Sequence, residues 1–135
     1  MSSRTPHKDE VLSAASAIVD AFTATDGERY FSGFTPKATF IFHTEPNRLN
    51  ERAEYESLWV SWVESGWRVL ECESSNPAVQ SFPGGAVFSH SVFTRVNTGE
   101  GEEAYRERET IVFRIDGAQL LAVHEHLSPL PEFTS

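Results

Sequence analysis

RETIVFRIDGAQLLAVHEHLS, residues 108–128, carries the signal that decides the fold. Its odd positions Glu109, Ile111, Phe113 and Ile115 are apolar apart from Glu109, which is the period of a half-buried strand. Asp116-Gly117 is a turn signal, and Leu120 to Ser128 resumes a strand. In that second strand Leu121, Val123 and Leu127 follow the alternation with Glu125 among them, so His124 and His126 face the other way together. A two-residue Asp116-Gly117 turn would set residue 109 opposite residue 124. Keeping Glu109 and Glu125 on one apolar face therefore requires a three-residue loop or a β-bulge. The apolar alternation is the guide followed here, because a one-residue slip would turn Leu121, Val123 and Leu127 to the wrong side.

The pattern extends backwards. Thr98-Gly99-Glu100-Gly101 joins Glu103–Ile115 to a strand over Ala86–Val96, whose even positions Ala86, Phe88, His90, Val92, Thr94 and Val96 form the more apolar face. Pro83-Gly84-Gly85 joins that to a long strand over Val69–Phe82, bent at Pro77, since proline cannot donate to a ladder. Upstream, Asp9–Thr25 places Leu12, Ala15, Ile18, Val19 and Phe22 at helical spacing. Glu28–Phe34 reads as a second short helix and Ala38–Thr44 as a strand. A third helix follows an Asn50 cap, with Glu51 and Glu54 in its first turn and Tyr55, Leu58, Trp59, Trp62 and Val63 on one stripe. Helices followed by a four-strand meander predict an α+β fold built on a curved antiparallel sheet with an interior pocket. The expected organisation is one domain over residues 1–135, with its core at about 9–128 and polar or proline-containing tails.

Composition bounds the function. The chain of 135 residues carries 11 Lys+Arg against 20 Asp+Glu, a formal charge of −9, with its arginines interleaved among glutamates. Such a surface disfavours nucleic acid and anionic membranes. No run is long enough to span a bilayer, the polar start lacks the pattern of a signal peptide, and the single cysteine, Cys72, excludes an intrachain disulfide. A cytoplasmic protein is expected. Cys72 lies between Glu71 and Glu73 with no basic neighbour to lower its pKa, so it is not read as a nucleophile. No phosphate-binding glycine loop or Gly-x-Ser-x-Gly elbow occurs.

The order of elements resembles the nuclear transport factor 2-like superfamily, the cone-shaped, cystatin-like fold of SnoaL-like cyclases and ketosteroid isomerases. The resemblance covers roughly residues 9 to 128. Arg108-Glu109-Thr110 through His124-Glu125-His126-Leu127-Ser128 is similar to the closing hairpin of the SnoaL-like group and to the calmodulin-dependent kinase association domain, which ends in a similar His-x-His-x-Ser. The resemblance implies a ligand pocket and pairing of copies through the sheet. It leaves the activity open, because the fold hosts isomerases, cyclases, dehydratases and non-catalytic members. It places Glu109 where the isomerases carry an aspartate on the strand before the last, and Glu45, directly before Pro46, where they carry their base. The isomerases' first-helix tyrosine is replaced by Phe22 or a neighbour.

Glu109 leads the candidate catalytic residues, since a carboxyl group on an apolar face has its pKa raised by desolvation. His90 would sit mid-pocket as acid, base or hydrogen-bond donor. Glu45 completes the catalytic set, and Tyr30 could supply a hydroxyl. The expected ligand wall is Tyr30, Phe40, Phe42, Trp59, Trp62, Val92, Ile111, Glu125 and Leu127. No metal is expected, because His124 and His126 lack a third convergent ligand, and no cofactor is expected. The reading is a protein that binds a small apolar organic molecule bearing a polar group, acting as a cofactor-free isomerase, cyclase or dehydratase by proton transfer. The alternative is a non-catalytic ligand-binding or oligomerisation domain. A homodimer through the outward sheet face, around Thr110, Val112, His124 and His126, is expected in either case.

Overall fold

The structure, a computed structural model, describes residues 4–131. The extreme tails, 1–3 and 132–135, lie outside the described residues. Helix α1 spans Lys8–Thr23, with His7 and Glu10 forming a reciprocal cap: the His7 backbone N–H donates to Glu10 Oε1 at 3.2 Å. Helix α2, Gly27–Ser32, starts at Asp26, whose carboxylate accepts from the Arg29 N–H. Strand β1 covers Phe34–Phe42, helix α3 Arg52–Glu64, and strands β2 to β5 cover Arg68–Phe82, Gly85–Asn97, Glu102–Asp116 and Gln119–Pro129.

The sheet order is β1-β5-β4-β3-β2. The predicted meander, β2 to β5, is antiparallel. The predicted antiparallel sheet is corrected at its margin, where β1 joins β5 in parallel; the intervening helix and meander return the chain in β1's own direction. The result is a mixed α+β fold with a curved five-stranded sheet. One face holds the core: Val11, Ala15 and Ile18 of α1, Tyr30 and Phe31 of α2, and Tyr55 and Trp59 of α3 pack on Phe40, Phe88, Ile111 and Phe113.

Boundaries shift for local reasons. Phe34 belongs to β1 and not to α2, because α2 stops at Gly33, where Ile18 leaves no room for a side chain: an added Cβ would come within 2.9 Å of its Cγ1. Glu51, not Asn50, caps α3; the Asn50 N–H instead donates to the Glu54 carboxylate. Val63 is 43% exposed rather than part of the buried stripe, since Tyr55 and Trp59 are the fully buried residues of α3. The bend in β2 is present, as a register break between Ser75 and Ala78 with Asn76 at φ 51°.

The closing hairpin turns through Gly117-Ala118, with Asp116 opposite Gln119, and a bulge at Val123 moves the register so that Phe113 pairs with Ala122 but Val112 with His124. Leu120 and Ala122 are therefore buried before the bulge, and Glu125 and Leu127 face inward after it. Leu121 and Val123, expected inside, are half-buried on the outer side. The bulge lets both pairs, Leu120 with Ala122 and Glu125 with Leu127, face inward, which uninterrupted alternation cannot do.

Candidate functional site

Between the helices and the inner face of the sheet lies a cavity of about 350 Å³, within the roughly 300–1,000 Å³ usual for small-molecule sites. Phe22 of α1, Tyr30 of α2, and Tyr55 and Trp62 of α3 form the helical wall; Val92, Glu107, Glu109, Glu125 and Leu127 project from the sheet. Phe42 and Glu45, at and just beyond the end of β1, close one side, and Trp67 and Cys72 the other.

Glu109 is the centre. Strand alternation aims it inward, as predicted, and the β4–β5 register sets it opposite Leu127 and beside Glu125. Glu125 is 1% exposed and Glu109 8%, and the two carboxyls share a hydrogen bond. Desolvation lifts Glu109 to about 7. Glu125 is raised well above the ordinary carboxylate range by burial and then by the charge of Glu109. Two carboxyl groups this close in an apolar setting hold one proton between them.

The pair is embedded in a chain of hydrogen bonds. Tyr30 Oη donates to Glu125 Oε1 at 3.0 Å and lies 3.1 Å from Tyr55 Oη. His90 Nε2 meets Glu109 Oε1 at 2.6 Å, while Nδ1 meets Ser74 Oγ at 2.5 Å. Burial lowers His90 to about 4, so the ring is neutral near pH 7. A neutral ring satisfies both contacts by donating from Nε2–H to Glu109 and accepting from the Ser74 hydroxyl at Nδ1. With Glu125 holding the shared proton, Glu109 accepts from both His90 and Glu125 and is the basic end of the pair. Tyr30 is held by a stacked contact with Trp59, 5.1 Å between centroids at 20°, and burial keeps both tyrosines protonated.

The remaining expectations divide. Tyr30, Phe42, Trp62, Val92, Glu125, Leu127, Glu109 and Glu45 all line the cavity. Phe40, Trp59 and Ile111 do not; they are packed one layer behind it, in the core. His90 faces inward but stands behind Glu109, against Phe88, with a fully buried side chain, and so supports a cavity carboxyl without forming the wall. The reason is strand position: His90 pairs directly with Glu109 across the β3–β4 ladder, and the longer glutamate reaches the open space.

Sequence reasoning missed Glu107, Tyr55, Trp67 and Cys72 as lining residues. Glu107 was detectable, because it continues the odd set of β4 two residues before Glu109. Its carboxylate meets His43 Nε2 at 2.5 Å. Cys72 is pushed up to about 11 by burial, which leaves it a thiol. Among the described residues, no group of three or more His, Cys, Asp or Glu is placed to hold a metal ion. His124 and His126 share the outer face with ring centroids 6.2 Å apart, and His124 Nδ1 is engaged by Thr39 Oγ1 at 2.8 Å. No helix among the described residues is long and apolar enough to cross a membrane.

Comparison with known proteins fits this geometry. A family model described as the SnoaL-like domain matches residues 11–132. No curated protein matches the chain. Among solved structures, a nuclear transport factor 2-like protein from Cytophaga hutchinsonii superposes with a TM-score of 0.80 at 11% identity, covering 93% of this chain and 99% of the other. A ketosteroid isomerase-like protein from Erwinia carotovora atroseptica gives 0.76 at 14% identity, with 92% and 96% covered. A protein assigned as a calcium/calmodulin-dependent kinase II association domain, from Exiguobacterium sibiricum, gives 0.78 at 14% identity, with 95% and 98% covered. At these identities the likeness is one of fold.

Proposed function

The chain belongs to the SnoaL-like domain family, and from that premise we propose that it binds a small, largely apolar organic molecule in the cavity and moves a proton on it without a cofactor. The observation that supports this reading is the Glu109–Glu125 pair: two hydrogen-bonded carboxyls facing a mostly apolar cavity. Glu109 takes a proton from a carbon made acidic by a neighbouring carbonyl. Glu125, holding the pair's proton, donates it to a second carbon in an isomerisation, to the acceptor carbonyl oxygen as the carbanion closes a carbon–carbon bond in a cyclisation, or to a β-hydroxyl that leaves as water in a dehydration. Tyr30 supports Glu125 from the helical side and His90 supports Glu109 from behind. Glu45 stands at the end of the cavity as an auxiliary acid. The setting is a reducing cytoplasm, where Cys72 stays a thiol.

Native mass spectrometry identifies ligand carried through purification, and deuterium exchange into that ligand in D2O reports proton transfer. Exchange by the wild type that is lost in Glu109→Gln at unchanged melting temperature supports the reading. Binding without exchange assigns a ligand-binding domain instead, and retained exchange in Glu109→Gln removes the carboxyl pair from the mechanism.

We propose also that two copies pair through the outer sheet face, where half-buried Val87 and Val112 are cross-strand partners and Val112 lies opposite His124. Val112→Lys should give a monomer by light scattering where the wild type gives a dimer; a monomeric wild type at high micromolar concentration defeats this proposal.

A further inference from the structure

The charge of the cavity narrows the ligand class. Glu45, Glu107, Glu109 and Glu125 line it, and no Lys, Arg or His is among the lining residues. Glu107 has His43 behind it and Glu109 has His90, so the basic partners stand outside the lining while the carboxyl groups face in. The same lining carries aromatic rings from α1, α3 and the loop after α3: Trp62 and Trp67 with centroids 5.4 Å apart, and Phe22 6.1 Å from Trp67. The aromatic lining and the cavity of about 350 Å³ make this a site; the carboxyl groups set its sign. An anionic ligand would meet like charge on the sheet side with no Lys, Arg or His among the described lining residues to receive it. A cation gains from both walls, by charge–charge attraction to the carboxylates and by lying against ring faces.

Building on the ligand-pocket reading above, we propose that the cavity selects an organic cation: a protonated amine or quaternary ammonium on an apolar frame, its charge against Glu107 and the Glu109–Glu125 pair, its frame against Trp62, Trp67 and Phe22. Carboxylates, phosphates and acyl thioesters of anionic carriers are disfavoured by the same arrangement. A cation beside the pair also favours the ionised form of Glu109, so the ligand's own charge readies the base that acts on it.

The test uses matched probes on one frame, naphthylmethylammonium, naphthalenemethanol and naphthoate, and repeats them on a benzyl frame. Binding is measured by calorimetry at pH 7 and low salt. The ammonium probe should bind about tenfold more tightly than the alcohol, with the carboxylate weakest. That preference should shrink in Glu107→Gln. Glu45→Gln, at the half-exposed end of the cavity, should shrink it too, and it serves where Glu107→Gln folds poorly. If the alcohol binds as well as the ammonium, or the carboxylate binds best, or neither variant alters the preference, the charge selection is wrong while the ligand-pocket reading stands. If no probe of either frame binds at millimolar concentration, the ligand-pocket reading fails and this inference fails with it.

Discussion

Glu109 and His90 touch, and burial drives their protonation in opposite directions, to about 7 and about 4. A carboxyl raised from an ordinary 4.5 keeps its proton in the native state where the unfolded chain has lost it. Its contribution to stability is therefore present below about pH 4.5 and is lost as pH rises through about 7. His90, lowered from 6.5, contributes above that value and loses the contribution as pH falls through about 4. Between about pH 4.5 and 6.5 these two slopes oppose, but Glu125, raised from the same 4.5, acts in the same sense as Glu109, so wild-type stability should fall across that range and more steeply just above it. His90→Gln should steepen that fall from about pH 4.5, and Glu109→Gln should flatten it between about pH 4.5 and 6.5, where Glu125 and His90 oppose. Urea midpoints across that range measure both, and a Glu109→Gln slope as steep as that of His90→Gln would refute the opposition. Tyr30→Phe removes one donor from Glu125 and should cost about 1–2 kcal/mol with the fold intact, read from the same urea curves. Glu109, His90 and Glu125 were legible because strand alternation alone assigns a face. The Tyr30–Glu125 contact was not, since no local pattern says which helix hydroxyl meets a strand 95 positions away.

Among the elements, strands β2 and β5 each contain a register break that the ladder must absorb. The β2 break was readable from Pro77, which cannot donate to the ladder. Its partner Asn76 sits at φ 51°, a left-handed conformation that asparagine tolerates and β-branched residues do not. Asn76→Gly should leave stability within about 0.5 kcal/mol of wild type, while Asn76→Val should cost about 1–2 kcal/mol by urea denaturation. Equal stability of the two variants would mean that the backbone relaxes out of that conformation. The β5 break was inferable only as a conflict between turn length and apolar alternation; its place at Val123 was not, because Leu120, Leu121, Ala122 and Val123 are apolar in succession and alternation has no contrast there. The parallel pairing of β1 was equally invisible, since a parallel neighbour depends on where the connecting helix delivers the chain.

For the molecule as a whole, the cavity is closed at one end by a contact between the C-terminus of α3 and the β3–β4 turn. Gly99, at φ 93°, lies so close to the helix end that a Cβ there would stand 2.1 Å from the Ser65 carbonyl oxygen. Ser65 and Thr98 both line the cavity, so this approach sets its width. Gly99→Ala should lower stability by more than about 1 kcal/mol, through both the positive φ and the clash, and should weaken probe binding as the turn moves away. A melting temperature and a probe affinity both unchanged would show that the turn does not shape the cavity. The cone fold and the inward carboxyls followed from the order of elements and from strand period; the aromatic end wall, with Trp67 just outside α3, did not, because a loop residue has no periodicity to place it.

The parallel union of β1 with β5 also orders events in time. Among the described residues β1 has no partner strand other than β5, so residues 34–42 emerge from synthesis some eighty positions before the strand that completes them. Until residues 119–129 arrive, both β1 and the open edge of β4 present unpaired backbone groups. Closing so long a loop is slow, and the waiting edges are adhesive. The strand that carries Glu125 into the cavity is thus also the one whose arrival pairs those two waiting edges.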